Sequence, residues 1–185
     1  MAYCNALVGV PKDCGDNNLG AIKRALIGSF EDVLTITATA TGDADTDGNV
    51  TAVTRTVATK FEDFPLTKDT SMFTQELVVD LVADTHSFSQ TVEIGLRRID
   101  LRKRNALMLL AEGRRDLIIV VQDNNDSWWM LGSDQGMRLS ASSAATNNTR
   151  SAGQQFSATF TSENERRMLY SITPAVALGL LVAAT

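Results

Sequence analysis

The chain has 185 residues, of which 44% are hydrophobic, 21% are charged and three are proline, and its formal net charge is −5. This composition is typical of a single globular domain with a sizeable core, and it excludes a disordered chain. The acidic balance argues against a general nucleic-acid binder, because phosphate contacts need a surplus of basic side chains.

The amino-terminal arm, residues 1–18, contains both cysteines, Cys4 and Cys14. It lacks the basic and apolar regions of a signal peptide, so we expect the protein to stay in the cytosol in which it is made. Reduced thiols are favoured there, although the spacing of the two cysteines permits a disulfide.

The first segments of the chain predict β-strands. Residues 18–27 fit either a strand or a short helix, and we favour a strand. Residues 33–39 and 50–57 alternate apolar residues with threonine, which is typical of half-exposed strands. The Gly- and Asp-rich link between these two segments predicts a hairpin.

A second, longer hairpin is predicted from residues 70–82 and 88–94, with its turn near residues 84–87. The only histidine, His86, falls in this turn and is expected at the surface. Structural zinc usually needs four Cys or His ligands, so one histidine far along the chain from both cysteines predicts no metal site.

One helix is predicted after this hairpin. Asp100 is a suitable N-cap and Gly113 a suitable C-cap. The apolar positions between them are Leu101, Met108, Leu110 and Ala111. The resulting helix has about three turns.

The segment from residue 117 to 139 predicts an antiparallel meander. It combines the apolar, β-branched run of residues 117–121, an Asn/Asp turn at residues 123–126 and the pair Trp128–Trp129. The uninterrupted apolar run predicts a strand that is buried on both faces. This well-ordered stretch is built for packing and pairing, and it contains no nucleophile, base or ligand cluster.

The last part of the chain predicts strands at residues 155–162 and 168–173, preceded by a flexible loop or mobile hairpin at residues 140–153. Residues 174–185 form an apolar tail that is too short to cross a bilayer, and we expect a terminal strand or a docking tail. The chain is thus predicted to be a single mainly-β domain, residues 1–185, folded as an antiparallel β-sandwich or barrel with one α-helix.

A partial calcium motif lies in the first hairpin. Asp43, Asp45 and Asp47 alternate before Gly48, as in the first half of a calcium-binding loop. Thr54 occupies the position of the bidentate glutamate, and strands flank the motif where helices are expected. An acidic hairpin tip explains the same residues, so the calcium site is a weak candidate.

Seven of the seventeen basic residues bracket the predicted helix. Arginine pairs bidentately with carboxylate and phosphate groups, so this cluster indicates either a contact with another subunit or a solvated helix face. The seven residues are Arg97, Arg98, Arg102, Lys103, Arg104, Arg114 and Arg115.

The tryptophan pair is the third candidate site. Trp128 and Trp129 lie on a predicted strand and must point to opposite faces, so one ring is expected in the core. The other ring is free to meet solvent, a ligand or a neighbouring chain. The sequence shows no Ser/His/Asp set, no phosphate-binding glycine loop and no paired carboxylates, so we expect no enzymatic activity and no cofactor.

The order of short motifs resembles virion proteins of tailed bacteriophages, in particular tail-tube-like proteins from phages of the Bacteroidetes and related gut or marine viruses. The amino-terminal motifs that carry this resemblance are the Cys-containing arm, Gly20–Lys23 and Phe30–Val33. In the rest of the chain they are Gln90–Ile94 before the helix, Trp129–Gly132, Gly136–Leu139 and Thr159–Phe160–Thr161.

This resemblance implies a non-enzymatic protein of the virion tail, made in the host bacterial cytoplasm. Its strands would join those of neighbouring copies into a ring, usually a hexamer, and the rings would stack into a tube that passes DNA without reading its sequence. Other tail or neck proteins would be its partners, and no membrane is involved. The chain departs from the family at Gly153–Phe156 and after Pro174, which leaves a tail terminator or a neck or collar ring as alternatives.

The competing hypothesis is a secreted or surface β-sandwich that binds carbohydrate through an exposed tryptophan and a calcium-supported loop at residues 43–47, and the lack of an export signal counts against it. Under the assembly hypothesis, the expected subunit interface comprises Arg97, Arg98, Arg102, Lys103, Arg104, Trp128 and Trp129.

Overall fold

The computed structural model describes residues 19–39, 48–66, 69–81, 84–97, 100–113, 115–146 and 154–184. The strands of the amino-terminal half are β1 (Ile22–Ser29), β2 (Val33–Ala38), β3 (Asn49–Arg55), β4 (Glu62–Pro65), β5 (Met72–Asp80) and β6 (Thr85–Arg97). Those of the carboxyl-terminal half are β7 (Leu117–Asp123), β8 (Trp128–Leu131), β9 (Arg138–Ala145), β10 (Gln155–Glu165) and β11 (Tyr170–Ile172). The helices are α1 (Leu101–Gly113) and α2 (Pro174–Gly179), and Phe30–Asp32 forms a short 3-10 helix.

The strands form two sheets. One has seven strands in the order β2-β3-β11-β8-β7-β1-β4, and the other has four in the order β5-β6-β10-β9. Side chains from β1, β7 and β8 share one apolar core with side chains from β6 and β10, so the two sheets pack face to face. The predicted mainly-β class with a helix is confirmed, and the arrangement is that of a sandwich, since the described strands close neither sheet into a barrel.

Strand β7 supplies apolar side chains to both faces of the seven-stranded sheet. Leu117, Ile119 and Val121 pack into the core between the sheets, whereas Ile118 and Val120 pack into a second core on the opposite face. Each of these five residues is 3% exposed or less. The predicted strand with two buried faces is therefore confirmed, and its β-branched residues suit the extended backbone.

Helix α2 covers the second core. Pro174 stands at the start of this helix, where its missing N–H costs nothing, and Ala177 and Leu180 are buried against the sheet. Of the two expectations for the tail, the docking tail is confirmed and the terminal strand is wrong. The tail docks as a short helix followed by a turn. The molecule consequently has three layers, with the seven-stranded sheet in the middle.

Strand β9 leaves the sheet that contains β7 and β8. The β7–β8 hairpin forms as predicted, but β9 pairs with β10 in the other sheet, so the predicted meander is wrong in its last strand. The chain changes direction at Gly132 and Gly136, which have φ of 71° and 76°. A side chain at Gly132 would also come within 2.9 Å of the carbonyl oxygen of Leu117.

The remaining strand predictions are confirmed with shifted bounds. The β2–β3 and β5–β6 hairpins both form. Of the turn predicted near residues 84–87, Asp84 lies in the turn, but residues 85–87 already belong to β6, which begins at Thr85 opposite Asp80. Of the two alternatives for residues 140–153, the flexible loop is wrong in its first part, because β9 continues to Ala145 and pairs antiparallel with β10 as one strand of a hairpin. Small Ser and Ala side chains carry a weak strand signal, and pairing with β10 overrides it.

Candidate assembly interface

Several predicted site residues lie outside the described residues. These are the weak calcium candidates Asp43, Asp45 and Asp47, the cysteines Cys4 and Cys14, and Arg98 and Arg114. Gly48, which follows the acidic segment, is described and has a φ of 79°.

The two tryptophans point to opposite faces of β8. Trp128 is 4% exposed and belongs to the core beneath α2. Trp129 is half-buried on the side of the four-stranded sheet, and its indole N–H donates to a carboxylate oxygen of Asp123 at 3.1 Å. Of the pair, it is therefore Trp129 that keeps surface for a ligand or a neighbouring chain.

The basic residues gather at one end of the four-stranded sheet. Arg97 ends β6, and Lys103 of α1 donates from its ammonium group to the carbonyl oxygen of Arg97. Arg102 and Arg104 are exposed on the same helix, and among the described residues neither side chain forms an ion pair. Sequence reasoning located this cluster, and the fold places it beside the end of β6.

The outer face of the four-stranded sheet is rich in hydroxyl groups. Val92 and Ile94 of β6 point into the core, so Thr91 and Glu93 between them point outward. The cross-strand register extends this face, and Ser143 and Ser157 hydrogen-bond across β9 and β10 at 2.7 Å. The outward positions include Thr74, Glu76, Asp80, Thr85, Ser87, Ser89, Thr91, Glu93, Ser157, Thr159 and Thr161.

Acidic charge prevails on this outer face. Its described cations are Arg97 at one end of β6 and Arg138 on β9. Arg138 forms an ion pair with Asp116, and this hydrogen-bonded carboxylate raises the pKa of the arginine. The surface between these two positions therefore exposes hydroxyl groups and carboxylates, which do not bind a polyanion tightly.

Both outer strands of the small sheet have an open edge. Strands β5 and β9 are each paired on one side only among the described strands. From Leu139 to Ala145, β9 contains neither a charged residue nor a proline, the usual devices that keep an edge from pairing with another chain. Strand β4, an edge of the larger sheet, is by contrast four residues long and contains Glu62, Asp63 and Pro65.

The tip of the β5–β6 hairpin, residues 76–81 and 84–87, is called the hairpin arm below. Residues 76–81 are all exposed, and because successive side chains of a strand point to opposite faces, neither face of the arm is covered. Leu77, Val78 and Val79 are 58%, 51% and 53% exposed, and Leu81 is 89% exposed. The three consecutive apolar residues Leu77, Val78 and Val79 are the sequence feature from which this exposed apolar surface could have been predicted.

A cleft separates the hairpin arm from the β10–β11 connection. It has a volume of about 830 Å³, and Trp129, Tyr170 and Met168 form one side of it. His86 and Phe88 line the other side, with their rings edge to face and centroids 6.2 Å apart. His86 is exposed as predicted, although it lies on a strand instead of in the turn; the grouping of these rings was not predicted, because they lie far apart in the sequence.

A buried carboxylate fixes the loop that joins the two sheets. Glu165 is 1% exposed and accepts hydrogen bonds from the backbone N–H groups of Asp134 and Gln135 at 3.0 and 3.2 Å. The hydroxyl of Ser162 donates to the same carboxylate at 2.6 Å. These bonds link β10 of the small sheet to the segment between β8 and β9, and the sequence carries no local signal for them.

Neither a metal centre nor a membrane-spanning helix is found within the described ranges. No group of three His, Cys, Asp or Glu side chains there is placed to hold a metal ion. No helix in the same ranges has the length and apolar character needed to cross a membrane.

Comparison of the chain with protein families, with curated proteins and with solved structures finds no match.

Proposed function

We propose that the protein is a non-enzymatic structural subunit that assembles into rings through the four-stranded sheet, and that these rings stack as the tail tube of a tailed bacteriophage. The open edges of β5 and β9 are the observation that carries this proposal. The resemblance of the sequence motifs to phage tail proteins supplies the biological setting. A tail terminator or a neck ring would use the same contact and differ in the number of rings that stack.

Strand addition is the association that such a sheet favours. An open edge presents unpaired backbone N–H and C=O groups, and pairing β9 of one copy with β5 of the next would satisfy them. Repetition of the same heterologous contact closes a ring when the rotation between copies permits it. Closure also removes the exposed edges, which is the general advantage of a β-barrel.

The dimensions of such a ring suit a DNA channel. Six copies, the number implied by the resemblance, would contribute four strands each, and strands lie about 4.8 Å apart. The perimeter is then about 115 Å and the distance across the channel between backbones about 37 Å, before strand tilt widens it. This opening exceeds the width of a DNA duplex with room for side chains.

The charge of the outer face supports its assignment to the channel wall. Tight phosphate binding would slow the passage of DNA, and binding strength rises with the number of basic contacts. The face with Thr91, Glu93 and Thr159 provides hydroxyl groups and carboxylates instead. If this face lay on the outside of the ring, the passage of DNA would not explain why lysine is absent from it.

The proposal is tested by light scattering and negative-stain microscopy of the purified protein, combined with hydrogen exchange. We expect rings or tubes, and slower amide exchange in β5 and β9 of the assembly than in a dilute, dissociated sample. The edge strand β4 serves as the internal control and should exchange equally in both. A protein that stays monomeric, or protection confined to β2 and β4 of the larger sheet, would contradict the proposal.

The cleft favours a second candidate, a calcium-supported carbohydrate-binding site. Sugars bind to aromatic rings with polar groups nearby, and the cleft brings Trp129 and Tyr170 to within one groove that also includes Gly48, next to the predicted calcium motif. Titration of the protein with glycans, with and without calcium, tests this function. Calcium-dependent glycan binding by a monomer would favour it over the assembly proposal.

A further inference from the structure

The open edges of the four-stranded sheet lie at different levels within one copy. Strands β5 and β9 run in opposite directions, so copies related by rotation about a ring axis would pair them antiparallel. Ala141 of β9 lies opposite Thr159 of β10, which in turn lies opposite Glu93 of β6. Since Glu93 also lies opposite Met72, the first residue of β5, Ala141 and Met72 are level. Copies that met without a displacement along the strands would therefore leave residues 142–145 of β9 unpaired.

The alternation of side chains restricts this displacement, which is called the stagger below. Phe73 of β5 packs against the core between the sheets, and Thr74 points outward. On β9, Ala144 lies on the core side because it pairs with the buried Phe156, and Ser143 beside it points outward. A stagger by an odd number of residues would pair a core-facing residue of one copy with an outward-facing residue of the next. Only an even stagger keeps both faces of the sheet continuous.

A stagger of four residues pairs the whole of β9 with the first part of β5. It places Ala145 opposite Met72 of the next copy. Ser143 then lies opposite Thr74. A stagger of two would place Ser143 opposite Met72 and leave the last two residues of β9 unpaired. A stagger of six would place Ser143 opposite Glu76 and leave the first two residues of β5 unpaired.

The stagger also sets the tilt of the strands against the ring axis. One copy contributes four strands, which are about 19 Å wide, and four residues of a strand span about 14 Å. The strands would then tilt by about 35°, whatever the number of copies in the ring. Closed barrels have tilts of about 35–45°, whereas staggers of two and six residues would give about 20° and 47°. The register that pairs β9 completely is therefore also the one that suits a closed barrel.

Side chains on the core side fit this register. The small side chain of Ala144 would meet the ring of Phe73, which packs against the core in its own copy. Ser140 is an extra residue in the pairing of β9 with β10, and beyond it Leu139 would meet Leu77. In the single copy Leu77 is 58% exposed, and Leu139 packs against the core between the sheets. The contact would thus continue the apolar core from one copy to the next.

We infer that β9 of one copy pairs with β5 of the next in a single register, with Ser143 opposite Thr74. This inference rests on the proposed function and adds to it the residue pairs that join the copies of a ring. The same register fixes the tilt of the strands. It also assigns Leu77, and with it part of the exposed apolar surface of the hairpin arm, to the contact between copies.

Pairs of cysteines test the register. In a chain with Cys4→Ser and Cys14→Ser, the pair Thr74→Cys/Ser143→Cys should form disulfides between copies on mild oxidation. Directly opposed residues of antiparallel strands lie about 4.5–5.5 Å apart, which is within the range that a disulfide spans. Electrophoresis without reductant should then show a ladder of covalent oligomers that collapses to the monomer when reductant is added.

The matched controls are Met72→Cys/Ser143→Cys and Glu76→Cys/Ser143→Cys, which represent staggers of two and six residues. All four substituted positions are exposed, and each control should cross-link about tenfold less than the pair with Thr74→Cys. Stronger or equal cross-linking by a control, or no cross-linking by any pair while rings form, would overturn the register but leave the rings themselves. A wild-type protein that forms no rings would instead remove the proposed function and, with it, this contact.

A second test needs no cysteine and covers the case in which those variants fail to assemble. In the inferred register the exposed Ala141 lies opposite Glu76 of the next copy. Ala141→Glu should therefore raise the concentration needed for ring formation by about threefold or more, because like charges would be directly opposed. Ala141→Glu/Glu76→Lys should restore it. Ser143→Glu, which faces Thr74, is the control; a larger effect of this control, or no restoration, would show that the register is wrong.

Discussion

Arg55 donates from Nη1 to the carbonyl oxygen of Leu180 at 2.9 Å and thereby joins the end of β3 to the turn that follows α2. The same guanidinium donates to the carbonyl oxygens of Thr59, Gly179 and Val182 at 3.0, 3.2 and 3.0 Å. Partial burial lowers the pKa of Arg55. The cation thus ends helix α2 where the negative end of its dipole lies and holds the third layer in place.

Replacement of this side chain should loosen the third layer. We expect Arg55→Gln to lower the free energy of unfolding by about 2 kcal/mol, because charged donors to carbonyl groups are lost at a half-buried site. Chemical denaturation measures this change. Arg138→Gln is the control, and loss of its exposed ion pair with Asp116 should leave the free energy of unfolding nearly unchanged, because solvent screens an exposed pair. Equal effects of the two variants would show that the Arg55 bonds contribute little.

Replacement of the buried carboxylate of Glu165 by an amide should destabilise the protein. We expect Glu165→Gln to lower the free energy of unfolding by about 1–3 kcal/mol. The side-chain NH₂ group of glutamine would then face a backbone N–H group that now donates a hydrogen bond to the carboxylate. Glu163→Gln, at an exposed position of the same strand, should change it by about 0.5 kcal/mol or less. A Glu165 variant as stable as the Glu163 variant would contradict the assigned role.

Gly28 permits an aromatic ring to lie directly on β1. A methyl group at this position would be 2.4 Å from the ring of Phe61, which itself is 3% exposed. Gly28→Ala should therefore displace this ring and lower stability by about 1–3 kcal/mol. Gly20→Ala, where nothing lies within 4 Å of the added methyl group, is the matched control and should leave the melting temperature nearly unchanged. Coincident melting curves for the two variants would argue against the close packing.

Substitutions on the outer face of the small sheet would test its place in the proposed assembly. Thr91→Lys/Thr159→Lys should give tubes that retain oligonucleotides, with retention falling steeply as salt rises, because the lysines would add phosphate contacts inside the channel. The control Thr37→Lys/Thr54→Lys adds the same charge on exposed positions of β2 and β3. Retention and its salt dependence are measured by filter binding of the assembled tubes. Equal retention by both variants would indicate that the face with Thr91 does not line the channel.

Local sequence patterns predicted most of the strands for a physical reason. The run from Leu117 to Val121 combines β-branched side chains with uninterrupted apolarity, and both features can be recognised from adjacent residues in the sequence. The same holds for α1, whose start at Leu101 follows the predicted cap Asp100. Where a segment's own residues decide its conformation, the prediction and the structure agree.

The errors concern features that depend on distant partners. Strand β9 contains Ser and Ala residues that favour no conformation strongly, and its pairing with Phe156 and Ala158 of β10 decides the outcome. Its crossing to the second sheet follows from the backbone at Gly132, which no periodicity reveals. In α2, Pro174 was the available signal for a helix start, and the apolar residues after it fit a strand equally well.

The candidate interface was predicted in part. The basic cluster was predicted from the order of residues, since Arg102, Lys103 and Arg104 are consecutive. The cleft could not be found in this way, because it brings His86, Trp129 and Tyr170 together from three separate strands. The open edge of β9 was likewise not predicted, since residues 140–153 were assigned to a flexible loop or a mobile hairpin without strand pairings.

The three-layer arrangement has a practical consequence for attaching cargo to the assembly. The backbone of Ala184 pairs with Ala58 and Thr59, so the carboxyl-terminal segment lies with α2 on the side of the seven-stranded sheet that faces away from the small sheet. If the chain forms the proposed tube, a fluorescent protein or enzyme joined there would be displayed on its outer wall, spaced from the channel by the thickness of both sheets. The assembly would then serve as a scaffold that carries a regular array of guests while its channel stays open.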